Sequence, residues 1–176
     1  GWREYLYYLL DIRKDTQAYY AALPDTTIWR DDDEKSQLAE YFFRHPGFNN
    51  YPVTGVTYEQ VIAYCKWRTY AANQAVYFKE NKIKNFHDHL KDSVPIRFFY
   101  RLPTQQEWEL IAAGKYEIEK YPYGFDDTVV KWKKRYIARF NYKNAEPLDA
   151  IEMRFTYTTN ANSYFPNSYK LYNTIG

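Results

Sequence analysis

A chain of 176 residues suits one domain and can bury roughly 70% of the surface it exposes when unfolded, so a real core is within reach. Twenty-four Lys and Arg against 22 Asp and Glu leave a net charge of +2, a balance that does not favour nucleic acid as a partner. A single cysteine, Cys65, excludes an internal disulfide, and no apolar run approaches the roughly 20 residues that a membrane span requires.

Trp2 to Leu10 is dense in Tyr and Leu around Arg3 and Glu4 and predicts a short amphipathic helix. No capping residue precedes it, and the chain opens at Gly1 without Met. The sequence is therefore expected to be an internal piece, with any export signal or lipid anchor outside it. Leu23-Pro24-Asp25-Thr26 reads as a turn, and residues 30–35 as a solvated acidic loop. That loop lacks the ligand spacing and the glycine of a calcium-binding loop. His45 to Asn50 is loop, and Tyr51-Pro52-Val53 is extended because Pro restrains the residue before it.

The clearest helix opens at Thr57, where Thr57 and Gln60 form a capping box. Its apolar stripe runs through Tyr58, Ile62, Cys65, Thr69 and Ala72, widened by Val61 and Tyr64. Residues 79–92 read as a polar insertion containing His87-Asp88-His89. Two His at i and i+2 share a face on a strand but not on a helix, so an exposed loop outweighs a metal site. A second helix opens at Arg101-Leu-Pro-Thr104 with a Thr104–Glu107 box. Trp108, Ile111 and Ala112 are its expected buried side, and Gly114 is its stop.

Beyond Lys115 come turns and short polar-aromatic runs, including the basic run Lys131-Trp-Lys-Lys-Arg135. A solvated face explains that run better than a single-stranded nucleic-acid site. Two helices among loops and short strands predict an irregular α+β domain. With 21 Tyr, 11 Phe and 5 Trp but only 6 Gly, many core contacts must be ring contacts. A dedicated ring-lined binding face is the alternative use of those rings.

Four segments, in order, resemble the formylglycine-generating enzyme (sulfatase-modifying factor) family. They are Tyr51-Pro-Val-Thr-Gly-Val-Thr-Tyr-Glu-Gln-Val-Ile-Ala-Tyr-Cys-Lys-Trp67, Arg101-Leu-Pro-Thr-Gln-Gln-Glu-Trp-Glu109, Tyr121-Pro-Tyr-Gly124 with Phe140-Asn141, and Pro166-Asn-Ser-Tyr-Lys-Leu-Tyr-Asn-Thr-Ile-Gly176. The opening Trp-Arg-Glu-Tyr-Leu is similar to the family's early helix. The resemblance implies a single partial domain over residues 1–176, in the family's irregular α+β fold, related to C-type lectin-like folds. That domain would be truncated at the C-terminus and also at the N-terminus. Trp67 and Trp108 would anchor its core, and Arg101 would hold a carboxylate or carbonyl.

The family's oxidase uses copper bound by two cysteines near the C-terminal end of the domain, past the position of Gly176. The resemblance therefore assigns no catalytic and no cofactor-binding residue here. Cys65 matches a structural helix cysteine, buried as a small apolar side chain or paired with a thiol outside this sequence. Asn141 and the backbone of Tyr142 match the start of a structural calcium site. Met153 falls where the family has Asp, and a thioether is a poor calcium ligand. Lys170 replaces a family glycine.

The Tyr-rich sequence and the Lys- and Asn-rich insertion resemble the gliding-motility and type-nine-secretion lipoproteins of Bacteroidetes. That likeness implies a non-catalytic structural or binding domain in the bacterial cell envelope (periplasm or outer membrane), with other envelope proteins as partners. The alternative is a fragment of a copper-dependent oxidase acting on a sulfatase cysteine. A sugar-binding relative is a third option.

Overall fold

A computed structural model describes residues 1–29, 36–84, 90, 93–121, 124–127, 129–132, 135–139, 151–152 and 158–174. The chain divides into two compact units, one of residues 1–39 and 53–102 and the other of residues 40–52 and 103–176.

The first unit is helical. Helix α1 (Trp2–Tyr7) runs directly into a π-helical turn, Tyr8–Ile12, closed by an Arg13 N–H to Tyr8 carbonyl bond of 2.8 Å. Helix α2 (Thr16–Ala21) starts at Asp15, whose carboxylate accepts the Ala18 N–H at 2.9 Å. A 3₁₀ turn, Thr26–Trp29, follows the predicted Leu23–Thr26 bend, and α3 (Ser36–Tyr41) leads out of the unit.

The long helix α4 (Tyr58–Glu80) begins at the predicted capping box, with Thr57 N–H donating to Gln60 Oε1 at 2.8 Å and Gln60 N–H to Thr57 Oγ1 at 3.3 Å. Gln60 does more than cap: its Nε2 donates to the carbonyls of Ala21 and Leu23 at 2.8 and 3.0 Å, fastening the end of α2. Gly55, at φ +68°, sits so close to Asp25 that an added Cβ would lie 2.2 Å from the Asp25 carbonyl oxygen.

The stripe predicted for α4 is half-buried from Val61 to Ala72, but it holds neither end of the burial pattern. Tyr58 is exposed, and the most buried residues of the helix are Asn73, Gln74 and Phe78. The reason is that α4 is gripped from two sides. Tyr64 and Trp67 pack on the Tyr5, Leu9 and Ala22 cluster of the N-terminal helices. Thr69 and Asn73 meanwhile hold the segment before residue 102. Asn73 Oδ1 accepts the N–H groups of Arg97 (2.7 Å) and Phe98 (3.1 Å), and its Nδ2 donates to the carbonyls of Phe98 (2.8 Å) and Thr69 (2.7 Å). Thr69 Oγ1 accepts the Tyr100 N–H at 2.9 Å and donates to the Cys65 carbonyl at 2.9 Å. The predicted insertion begins within α4, which continues to Glu80.

In the second unit, Phe42 is buried among Phe43, Phe48 and Tyr51, with ring centroids 5.0–6.2 Å away. Helix α5 (Gln105–Ala113) carries the second predicted box, with Thr104 N–H to Glu107 Oε2 at 2.8 Å and Glu107 N–H to Thr104 Oγ1 at 3.2 Å. It stops at Gly114, at φ +66°.

Trp108, expected in the core, is 47% exposed. The helix packs instead through small residues at its far end: Ala112 and Ala113 are buried, and a Cβ on Gly124 would lie 2.2 Å from the Ala112 carbonyl oxygen. Contact that close leaves no room for an indole, so the ring lies outside. Asn167 closes this end. Its Nδ2 donates to the Ile111 carbonyl at 2.7 Å, while Oδ1 accepts the N–H groups of Tyr169 (2.9 Å) and Leu171 (3.1 Å).

Strands β1 (Val129–Trp132), β2 (Arg135–Ala138) and β3 (Ile151–Glu152) form a sheet in that order, β1–β2 antiparallel and β2–β3 parallel. Of the basic run, Lys131 and Trp132 end β1 and Arg135 begins β2, where Trp132 pairs with Arg135. No helix among the described residues is long and apolar enough to cross a membrane.

Candidate functional site

The rings of the first unit are arranged by helical period. Trp2, Tyr5 and Tyr8 recur every three residues on one side, and Tyr64, Trp67 and Tyr70 do so on α4. Trp2 stacks on Tyr64 with centroids 5.1 Å apart and planes 17° apart, Tyr5 lies 5.3 Å from Trp67, and Tyr8 lies 5.8 Å from Tyr70. Pairs at such distances each contribute about 0.5–1.5 kcal/mol beyond burial, so the ladder is a large part of this unit's cohesion. Trp2 adds a bond from its Nε1 to the Ala22 carbonyl at 3.1 Å. Burial pushes the phenols of Tyr5 and Tyr64 above their ordinary pKa. The charge of Asp15 adds to the effect at Tyr5, while Arg68 opposes it at Tyr64.

Past Tyr8 and Tyr70 the ladder opens into a cavity of about 240 Å³. Its α4 wall is Trp67, Tyr70, Ala71, Gln74, Ala75 and Phe78, the face that recurs at three- and four-residue spacing. Tyr7, Tyr8 and Ile12 face it from the first helix and its π turn, and Leu90 completes the lining. Phe78 and Gln74 are nearly inaccessible at 2% and 3%, whereas Tyr7 is 54% exposed at the rim. The void exists because Ala71 and Ala75 stop at Cβ where a ladder residue would carry a ring. The indole N–H of Trp67 is buried and makes no hydrogen bond among the described residues.

The lone thiol lies on the long helix. Cys65 is half-buried within α4, and burial raises its pKa, which favours the unreactive thiol over the thiolate. Among the described residues no group of three or more His, Cys, Asp or Glu could hold a metal ion. The predicted calcium position at Asn141 and Tyr142, Met153, residues 30–35 and the His87–His89 run all lie outside the described residues. Arg101 does hold a carbonyl, that of Leu102, through Nη1 at 3.0 Å. Lys170, which stands where the resemblance has a glycine, adopts φ +64°, the left-handed conformation that glycine takes without strain.

Sequence reasoning did not find the cavity. Its one signal is the pair Ala71 and Ala75 set between rings on a single helix face, and the π turn opposite has no sequence signature.

The family model of the sulfatase-modifying factor enzyme 1-like domain matches residues 10–176. A formylglycine-generating enzyme from Thermomonospora curvata is 37% identical over 78 residues, which are 43% of this chain and 24% of that protein. The matched stretch thus spans about a quarter of the relative's length. No solved structure matches the chain.

Proposed function

The chain belongs to the family of sulfatase-modifying factor enzyme 1-like domains, and on that premise we propose that it is a non-catalytic structural and binding domain. Its fold would be the family's irregular, C-type lectin-like one. Its setting would be a bacterial cell-envelope lipoprotein of the gliding-motility or secretion kind, with other envelope proteins as partners. One observation supports the non-catalytic part of this reading: the sequence has a single thiol, Cys65, and it is half-buried in a helix.

The oxidase chemistry that the resemblance implies needs copper on two cysteines. These 176 residues offer one, so they do not fit that ion and no oxidative step is derived through them. The resemblance also implies a structural calcium ion at Asn141 and the backbone of Tyr142, although Met153 stands where the family has an Asp ligand. A melting midpoint lowered by chelator is the expected sign of it, and an unchanged midpoint removes it.

A second reading, a fragment of a copper-dependent formylglycine-generating oxidase acting on a sulfatase cysteine, is favoured by the name of the Thermomonospora relative. The two readings separate when the polypeptide, as its cell makes it, is incubated with copper, oxygen and a cysteine-containing sulfatase peptide. Mass spectrometry should find the peptide thiol intact. Catalytic appearance of an aldehyde at that cysteine overturns the non-catalytic reading.

A further inference from the structure

We propose that the cavity beyond the Tyr8–Tyr70 rung is a binding site for one flat, uncharged ring system of one or two fused rings. The inference goes beyond the proposed function and does not depend on the absence of catalysis.

Three features of the molecule lead to it. The first is shape. The ladder sets a ring against a ring at each step, Trp2 on Tyr64, Tyr5 on Trp67 and Tyr8 on Tyr70. The next step has Ile12 on one side and Ala71 and Ala75 on the other, so a rung is missing between stacking walls.

The second is size. A dry apolar cavity of about 150 Å³ accepts benzene, so 240 Å³ takes a ring system somewhat larger, of indole or naphthalene dimensions.

The third is chemistry. Among the described residues the lining is ring and aliphatic surface with one buried carboxamide, that of Gln74, and no ionised side chain. A carboxylate, a phosphate or a sugar would lose its hydration there without replacement hydrogen bonds, whereas a neutral ring loses little. The π turn that presents Tyr8 and Ile12 fits this picture, because such turns are rare and occur frequently at functional sites.

The ring could arrive as a free small molecule or as an aromatic side chain on a partner's backbone, and two probes tell these apart. Indole and N-acetyl-tryptophanamide are titrated into the chain by calorimetry, with glucose and phenylacetate as comparisons. Indole is expected to bind with a dissociation constant on the order of 10–1,000 µM, the range open to so small a ligand. Phenylacetate and glucose should bind at least about tenfold more weakly.

Tryptophanamide binding as well as indole assigns the site to a presented side chain. Tryptophanamide binding more weakly assigns it to a free ligand. Ala71→Trp supplies the missing rung from within and should weaken indole at least about tenfold while the melting midpoint holds or rises. If that variant does not fold, Ala75→Trp at the exposed lip serves the same purpose. No indole binding to the folded chain, equal binding of glucose or phenylacetate, or unchanged indole affinity in the folded Trp variant overturns the proposal. None of these results bears on the peptide oxidation assay, so the two readings fail separately.

Discussion

Replacing Asn73 by Ala should cost the first unit about 2–4 kcal/mol, more than any surface substitution on α4. The side chain is 2% exposed and makes four hydrogen bonds, two as acceptor from Arg97 and Phe98 and two as donor to Phe98 and Thr69. Each bond contributes about 1 kcal/mol net, which sums to about 4. Arg97 and Phe98 are themselves exposed, so water can re-solvate part of what the truncation strands. Ala is also the better helix former by about 0.5 kcal/mol, which offsets the loss a little.

A loss of this size is a large share of the roughly 5–15 kcal/mol by which domains are stable, and it should move the urea midpoint visibly. Amide hydrogen exchange supplies the residue-specific readout, with faster exchange at Arg97 and Phe98 in the variant. Asn73→Asp keeps the two acceptor contacts and removes both donors, so it should also destabilise the unit. A loss below about 0.5 kcal/mol in Asn73→Ala, with unchanged exchange at those two amides, would refute the clamp.

Two further outcomes follow from backbone strain and from burial. Lys170→Gly should stabilise the chain by about 0.5–1 kcal/mol, because about 1–2 kcal/mol of left-handed strain is relieved against about 0.5–1 of added chain entropy. A calorimetric midpoint that falls in that variant contradicts the reading. The phenols of Tyr5 and Tyr64 have folded pKa values raised above the ordinary value near 10. Their contribution to stability is therefore complete below about pH 10 and is lost as pH rises through the folded values. Unfolding free energy should decline above about pH 10, and less steeply in Tyr64→Phe. An identical slope in the variant sinks this assignment.

What could be read from the chain was what is settled within a few residues. The boxes at Thr57–Gln60 and Thr104–Glu107, and the stop at Gly114, form between residues no more than four apart and came out as the spacing predicts. The grip of Asn73 was not legible, because its partners lie 24 and 25 positions downstream. The hint was there: Asn is a poor residue for a helix interior unless its amide has a partner outside the helix. Trp108 misled for a related reason. A large ring at an apolar helical position normally faces the core, but α5 buries Ala112 and Ala113 against backbone, and close approach excludes bulk. The ring ladder was anticipated only as composition, since its pairing depends on how α1 enters the π turn.

The segments that carry the family likeness and the residues that form the cavity are largely different. Thr57, Gln60, Arg101, Thr104, Glu107 and Asn167 cap helices or bind carbonyls. The cavity instead draws on Tyr7, Tyr8 and Ile12 and on α4 from Tyr70 onward, and shares only Trp67 with the quoted motifs. The residues that make the family recognisable therefore need not be the ones that line a site, since a fold does not by itself assign a function.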